Sequence, residues 1–262
     1  MPPSPHRPVV VGILNCTPDS FFDGGVRPSL ARQVDDAHAM LAAGADWIDV
    51  GGESTRPGAA AVDAEEECRR VLPVIQALAG EAVVCIDTAK ASVAARALAA
   101  GARVINDVTG LRDPDMAAVT ADAQATVVMH MRGTPSTMRG MTDYTDLLHD
   151  VRTALLTAAA RARSPEVWID PGIGFAKTAA QSLSLLRHTD NLVATGLPVY
   201  IGASRKSFIG HTLGQPNAEE RLAGSLAAVA AAYQRGARAF RVHDVAETRQ
   251  LLDLLRAVET TA

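Results

Sequence analysis

Residues Val83–Val108 read VVCIDTAKASVAARALAAGARVINDV. A β-branched apolar run, Val83–Asp87, ends on a carboxylate. A stretch rich in Ala, with Leu, Arg and Lys, covers 89–100 and favours helix. Gly101 follows as a left-handed C-cap. A second β-branched run, Val104–Val108, comes next. Several of the chain's β-branched runs are almost wholly apolar, as in parallel strands covered on both faces. The stretch is therefore one strand–helix–strand unit.

The same alternation extends in both directions. Further strands are expected at Val9–Asn15, Trp47–Gly52, Thr126–Met131, Val167–Asp170, Val199–Gly202 and Phe240–His243. Helices are expected over 29–43, 63–79, 113–123, 145–163, 178–195, 219–235 and 246–258, with Gly44, Gly196 and Gly236 as further caps. Eight units in 262 residues average about 33 residues, close to the ~30-residue βαβ repeat. Right-handed crossovers wind such a chain into an open sheet or close it, and the count of eight favours a (β/α)8 barrel. One barrel domain, 8–262, is expected behind a loose arm, 1–7.

Composition narrows the function. Apolar residues at 48% and charged residues at 21% exclude a disordered chain. Lys plus Arg is 25 against 29 for Asp plus Glu, so no basic excess points to nucleic acid. Cys16, Cys68 and Cys85 lack disulfide or metal spacing. Neither a signal-like apolar run nor a ~20-residue span is present, so no membrane partner and a cytoplasmic location are expected.

Polar residues gather at the carboxyl ends of the strands: Asn15, Glu53–Arg56, Asp87, Asn106–Asp107, His130, Asp170, Ser204–Lys206, and Arg241 with His243. In a barrel these converge on one mouth, where such enzymes place their chemistry. Each could serve as a helix cap, but eight strands in a row favour a ligand. Asp87, Asn106 and Asp170 offer acceptors suited to a heterocycle bearing amino and ring N–H groups. Asn15, Arg241 and His243 lie on the adjacent first and eighth strands and suit an anion, with Arg205 and Lys206 adding charge. The segments Thr17–Gly25 and Gly51–Gly58 are rich in Gly and Pro, and Asp170–Lys177 offers Phe175 as a stacking face.

These residues together resemble the dihydropteroate synthase family. The likeness runs in family order through Gly12–Gly25, Gly44–Gly58, Ile86–Lys90, Ile105–Gly110, Met129–Met138, Asp170–Thr178, Ser204–Gly210, Arg221–Ala228 and Gly236–Val245. It implies a (β/α)8 barrel, usually a homodimer. The implied reaction is an SN1-like condensation of 6-hydroxymethyl-7,8-dihydropterin diphosphate with 4-aminobenzoate, open to competition by sulfonamides. By motif, Asp87, Asn106, Asp170 and Lys206 would hold the pterin. Asn15, Arg241 and His243 would hold the diphosphate, with Mg2+ on Asn15. Phe21, Thr55, Arg56, Pro57, Phe175, Lys206 and Ser207 would surround the aminobenzoate, and Asp23 would help order the complex.

Cys16, Phe22, Arg132 and Ala176 depart from the residues common in that family, and the segment from Val151 to Asp170 is shorter. Ala176 stands where Gly is usual, a strained choice if the backbone is left-handed there. Two alternatives share the pocket: a pterin-binding methyltransferase, which has no need of Ser204–Ser207 or Glu53–Pro57, and a pterin-binding paralogue without turnover.

Overall fold

The computed structural model describes residues 7–17, 29–55 and 58–261. Among these, strands and helices alternate as β1 (Val9–Asn15), α1 (Leu30–Ala42), β2 (Trp47–Gly51), α2 (Ala64–Leu78), β3 (Val83–Asp87), α3 (Ala91–Ala99), β4 (Val104–Asp107), α4 (Met116–Val119), β5 (Ala125–Met129), α5 (Leu147–Ala159), β6 (Glu166–Asp170), α6 (Ala179–Arg187), α7 (Thr189–Val193), β7 (Tyr200–Ile201), α8 (Ser207–Leu213), α9 (Leu222–Tyr233), β8 (Ala239–Val242) and α10 (Val245–Thr260). The strands pair in parallel in the order β6-β5-β4-β3-β2-β1-β8-β7. A parallel bridge between Ile169 and Val199 joins β6 to β7. The result is the expected (β/α)8 barrel.

Strand alternation divides the side chains into two sets. One set packs between barrel and helices: Val10, Leu14, Ile48, Val50, Val84, Ile86, Ile105, Val128, Ile169 and Phe240 join the helical apolar residues in the main core. The other set points inward. Val11, Cys85, Val104, Ala125, Val127, Trp168, Tyr200 and Ala239 form a separate buried cluster inside the lower barrel. Trp47 and Trp168 meet there edge to face, centroids 5.7 Å apart.

Helix punctuation follows the local chemistry. Asp63 caps α2 by accepting from Glu66 N at 2.8 Å. Thr178 and Gln181 form a capping box on α6. Gly44, Gly101, Gly196 and Gly236 all have positive φ, as their C-cap reading requires. At Gly101 a Cβ would also lie 2.6 Å from Ala79 Cβ.

Some boundaries differ. The helix expected over 178–195 breaks at His188 into α6 and α7. There Thr189 Oγ1 donates to the carbonyls of Leu185 and Leu186, at 3.2 and 3.0 Å, and disturbs the ladder. The helix expected over 113–123 shrinks to α4 and one 3-10 turn. Asp113 is spent elsewhere, accepting from Ala91 N at 2.9 Å and Asp115 N at 3.0 Å. Helix α8 is an addition after β7, closed by left-handed Gly214. Five strands end one or two residues earlier than expected: β2 at Gly51, β4 at Asp107, β5 at Met129, β7 at Ile201 and β8 at Val242. Arg7, placed in the arm, lies 3.6 Å from Asp46 and 3.7 Å from Asp253.

Candidate active site

The inward register carries the site. One step above the apolar plug, the same strand faces change from hydrocarbon to charge. Asp49 stands opposite Cys85 and Ile13, Asp87 opposite Asn106 and Gly51, and Asp170 opposite Met129. On β8, Arg241 is the inward residue opposite Val11.

Arg241 ties the floor together. Its Nε donates to Asp49 Oδ2, and one terminal nitrogen donates to Asp87 Oδ2 at 2.8 Å. Asn106 Nδ2 donates to the same Asp49 oxygen at 3.4 Å. Burial works against the Arg241 charge, and Asp49 and Asp87 overcome it, so its pKa rises. Asp87 is pushed up to about 7: burial raises it, Arg241 pulls it back, and Asp49 pushes it up again. The second oxygens of Asp49 and Asp87 are buried and have no hydrogen-bond partner among the described residues. Buried unpaired acceptors are costly, so the floor is built to meet donors.

Asp170 and Lys206 form the opposite wall. Asp170 Oδ1 accepts from Gly172 N at 2.7 Å. Burial raises its pKa, and Lys206 works against that rise. Lys206 Nζ donates to the Ile173 carbonyl at 2.6 Å and stands 4.6 Å from the centre of the Phe175 ring. Burial lowers its pKa to about 8, with Asp170 opposing. Gly202 leaves the space between these groups open. A Cβ there would lie 3.7 Å from both Asp170 Oδ2 and Lys206 Nζ, and 3.9 Å from Arg241 Cβ. The structure thus brings Asp170, Lys206 and Arg241 together, with Asp87 and Asn106 alongside.

His243 follows β8 and pairs through Nδ1 with Ser204 Oγ at 3.1 Å, while its backbone N–H donates to the same oxygen at 3.2 Å. Asn15 is half-buried at the end of β1. Half-buried Thr55 follows β2, Phe175 follows β6, and exposed Ser207 opens α8. Phe21, Asp23, Arg56 and Pro57 lie outside the described residues.

Two sequence expectations need correction. Arg205 adds no charge to the pocket, because its guanidinium is forked onto Asp244, one contact measuring 3.0 Å. Its positive φ of 55° is fixed by Arg205 N donating to Ser225 Oγ and by Arg221 donating to its carbonyl, both at 2.9 Å. Asp107 also faces away from Asn106. It accepts from Thr109 N, Thr109 Oγ1 and Leu111 N, at 2.7, 2.6 and 2.9 Å, and shapes a turn.

Asp49 lies in the middle of β2, outside the strand-end pattern that marks the other polar residues. Its signal is a carboxylate inside the apolar run Trp47–Gly51, where burial demands a partner. The surroundings of His130 come from a residue 47 positions away. Lys177 Nζ sits 2.9 Å from both His130 Nδ1 and the Phe175 carbonyl. Burial lowers Lys177 to about 7, and burial with the Lys177 and Arg132 charges takes His130 to about 3. Ala176 is left-handed at φ 48°, as its place in a Gly position foretold. Tyr144 Oη donates to its carbonyl at 3.0 Å.

Residues 11–243 match the model of a family described as "Pterin binding enzyme". A dihydropteroate synthase of Synechocystis is 45% identical over 261 residues, covering 96% of this chain and 90% of that one. The solved dihydropteroate synthase of Xanthomonas albilineans in complex with 7,8-dihydropteroate superposes with a TM-score of 0.87 at 39% identity, covering 99% and 96% of the two chains. The Yersinia pestis dihydropteroate synthase, solved with a sulfonamide drug, gives 0.90 at 39% identity over 98% and 96%.

Proposed function

This chain belongs to the pterin binding enzyme family, and on that footing we propose that it condenses 6-hydroxymethyl-7,8-dihydropterin diphosphate with 4-aminobenzoate, releasing diphosphate and 7,8-dihydropteroate. The observation that carries the reading is the inward ring of Asp87, Asn106, Asp170 and Lys206 beside Arg241, in which the buried Oδ1 of Asp87 has no hydrogen-bond partner among the described residues and can accept from an N–H donor. An aminopyrimidinone edge presents such donors, and a carboxylate takes two of them in parallel.

Asp87, Asn106 and Asp170 bind and orient the pterin edge, and Lys206 donates from the other side. The bond from the pterin methylene to oxygen breaks, and its electron pair leaves with the diphosphate. Arg241, His243 and Asn15 receive the growing negative charge, and such preorganised donors supply a large share of catalysis. Arg241 offers five N–H groups, more than its contacts to Asp49 and Asp87 use. Asp170 stabilises the pterin cation by charge. The neutral amine of aminobenzoate then forms the new C–N bond and gives up a proton to water or to the departing diphosphate; no nucleophilic side chain is needed. Thr55, Phe175 and Ser207 flank this second substrate, where sulfonamides would compete; Phe21, Asp23, Arg56 and Pro57 are assigned to the same complex by motif.

Mg2+ fits this arrangement as a substrate-borne ion. Among the described residues no three His, Cys, Asp or Glu side chains gather as a cage. Mg2+ commonly takes one or two protein oxygens and completes its shell with waters and phosphate oxygens. The amide oxygen of Asn15 can be such a ligand. When bound, the ion would neutralise charge on the leaving diphosphate.

A homodimer, the state the family resemblance implies, belongs to the same proposal; Leu254 and Val258, one turn apart on α10, are exposed apolar side chains that a second copy could cover. No helix among the described residues is long and apolar enough to cross a membrane; the cytoplasm is the location this reading proposes. The decisive experiment is turnover with both purified substrates and Mg2+, following diphosphate release and the mass of the product. Release that needs aminobenzoate, with dihydropteroate formed, supports the proposal; no release, or release without the condensed product, overturns it.

A further inference from the structure

Lys90 has no part in the chemistry above, yet its ammonium is held between two acids. Its Nζ lies 2.6 Å from Glu67 Oε2 and also donates to Glu53 Oε2. Glu67 is fully buried on α2. Glu53 stands two residues before Thr55, and Lys90 three residues after Asp87. One side chain therefore joins α2, the chain leaving β2 and the chain leaving β3.

Other contacts tighten this junction. Glu53 Oε1 accepts from Val62 N at 3.0 Å, so the same carboxylate pins both ends of its segment. Arg70 Nη1 donates to the Gly52 carbonyl at 2.8 Å. A Cβ at Gly52 would meet Val71 Cγ1 at 2.8 Å and Glu67 Cγ at 2.9 Å. The backbone leading to Thr55 thus lies closer to α2 than a side chain would allow. Buried ion pairs often add little net stability compared with apolar packing, so what this one supplies is geometry. Burial opposes the Lys90 charge, but the bonds to Glu53 and Glu67 outweigh it and raise its pKa.

We infer that Lys90 is a positioning residue for the aminobenzoate subsite, acting through Glu53 to set Thr55 against the Asp87 side of the pocket. The inference rests on the reading that Thr55 flanks aminobenzoate.

Glu53→Gln is the first test, because it keeps the Lys90–Glu67 pair and hence the fold. Lys90→Met and Lys90→Arg follow. Losing a charge-assisted bond should raise KM for aminobenzoate about tenfold in Glu53→Gln and Lys90→Met, leave KM for the pterin diphosphate within about twofold, and recover in part in Lys90→Arg. Amides of residues 58–62 in the ligand-free protein should exchange hydrogen faster in Glu53→Gln than in the parent. Folded variants with unchanged KM for aminobenzoate, or with both KM values raised equally, would overturn the inference. An inactive parent enzyme would instead defeat the functional reading. The exchange measurement would still decide the mechanical link, and unchanged exchange would refute it.

Discussion

The lower and upper halves of the barrel interior are built from the same strands and differ in what they ask of water. On β3 the inward residues run Val83, Cys85, Asp87; on β4, Val104 then Asn106; on β6, Trp168 then Asp170; on β8, Ala239 then Arg241. The lower half is a largely apolar plug whose contribution is burial and packing. The upper half takes charged groups out of water and leaves part of their hydrogen bonding unmet, a cost that the plug and the outer core must carry. Stability and function therefore lie on successive steps of one strand period.

Substitutions should separate the two halves. The largest effect is expected at Arg241. Arg241→Met should lower kcat by about 10²–10³ and weaken pterin diphosphate far more than the corresponding pterin alcohol. It should also cost roughly 3–5 kcal/mol in denaturant unfolding, because Asp49 and Asp87 lose their buried partner. Equal loss for both ligands would remove Arg241 from the diphosphate site.

The next effect concerns pH. Asp87 near 7 in the free protein must be ionised to accept pterin N–H bonds, so the ligand favours the deprotonated form. Affinity should hold above pH 7 and fall as pH drops through it, approaching tenfold per unit well below the pKa. Calorimetry with the pterin from pH 8 to 5.5 measures this, and Asp87→Asn should flatten the profile.

The smallest effect is expected in the plug. Tyr200 Oη is buried with no hydrogen-bond partner among the described residues, so Tyr200→Phe removes an unsatisfied hydroxyl. It should leave both KM values unchanged and hold or raise stability by up to about 1 kcal/mol. A large loss of activity would show that the plug shapes the pocket above it.

Much of the site was legible because a barrel sends every strand's carboxyl end to one mouth. Asp87, Asn106, Asp170, Lys206 and Arg241 could be named from strand ends and motif, and they do converge. Ala176 was likewise legible, since a residue replacing Gly announces a backbone demand. Asp49 was not, because the apolar residues around it read as an ordinary buried strand, and its partner Arg241 lies 192 residues away. Arg205 misled for the opposite reason: its charge is visible in sequence, but its partner Asp244 is not.

The sequence by itself determined the succession of strands and helices, the caps that separate them and the polar character of one barrel end. These depend on spacing, propensity and side-chain chemistry within a few residues. Only the tertiary structure decided which way each polar group turns, that Arg241 bridges Asp49 and Asp87, and that Lys90 fastens Glu53 to Glu67. A buried charge takes its behaviour from the partner that closure of the barrel brings to it, and that partner comes from a distant part of the chain.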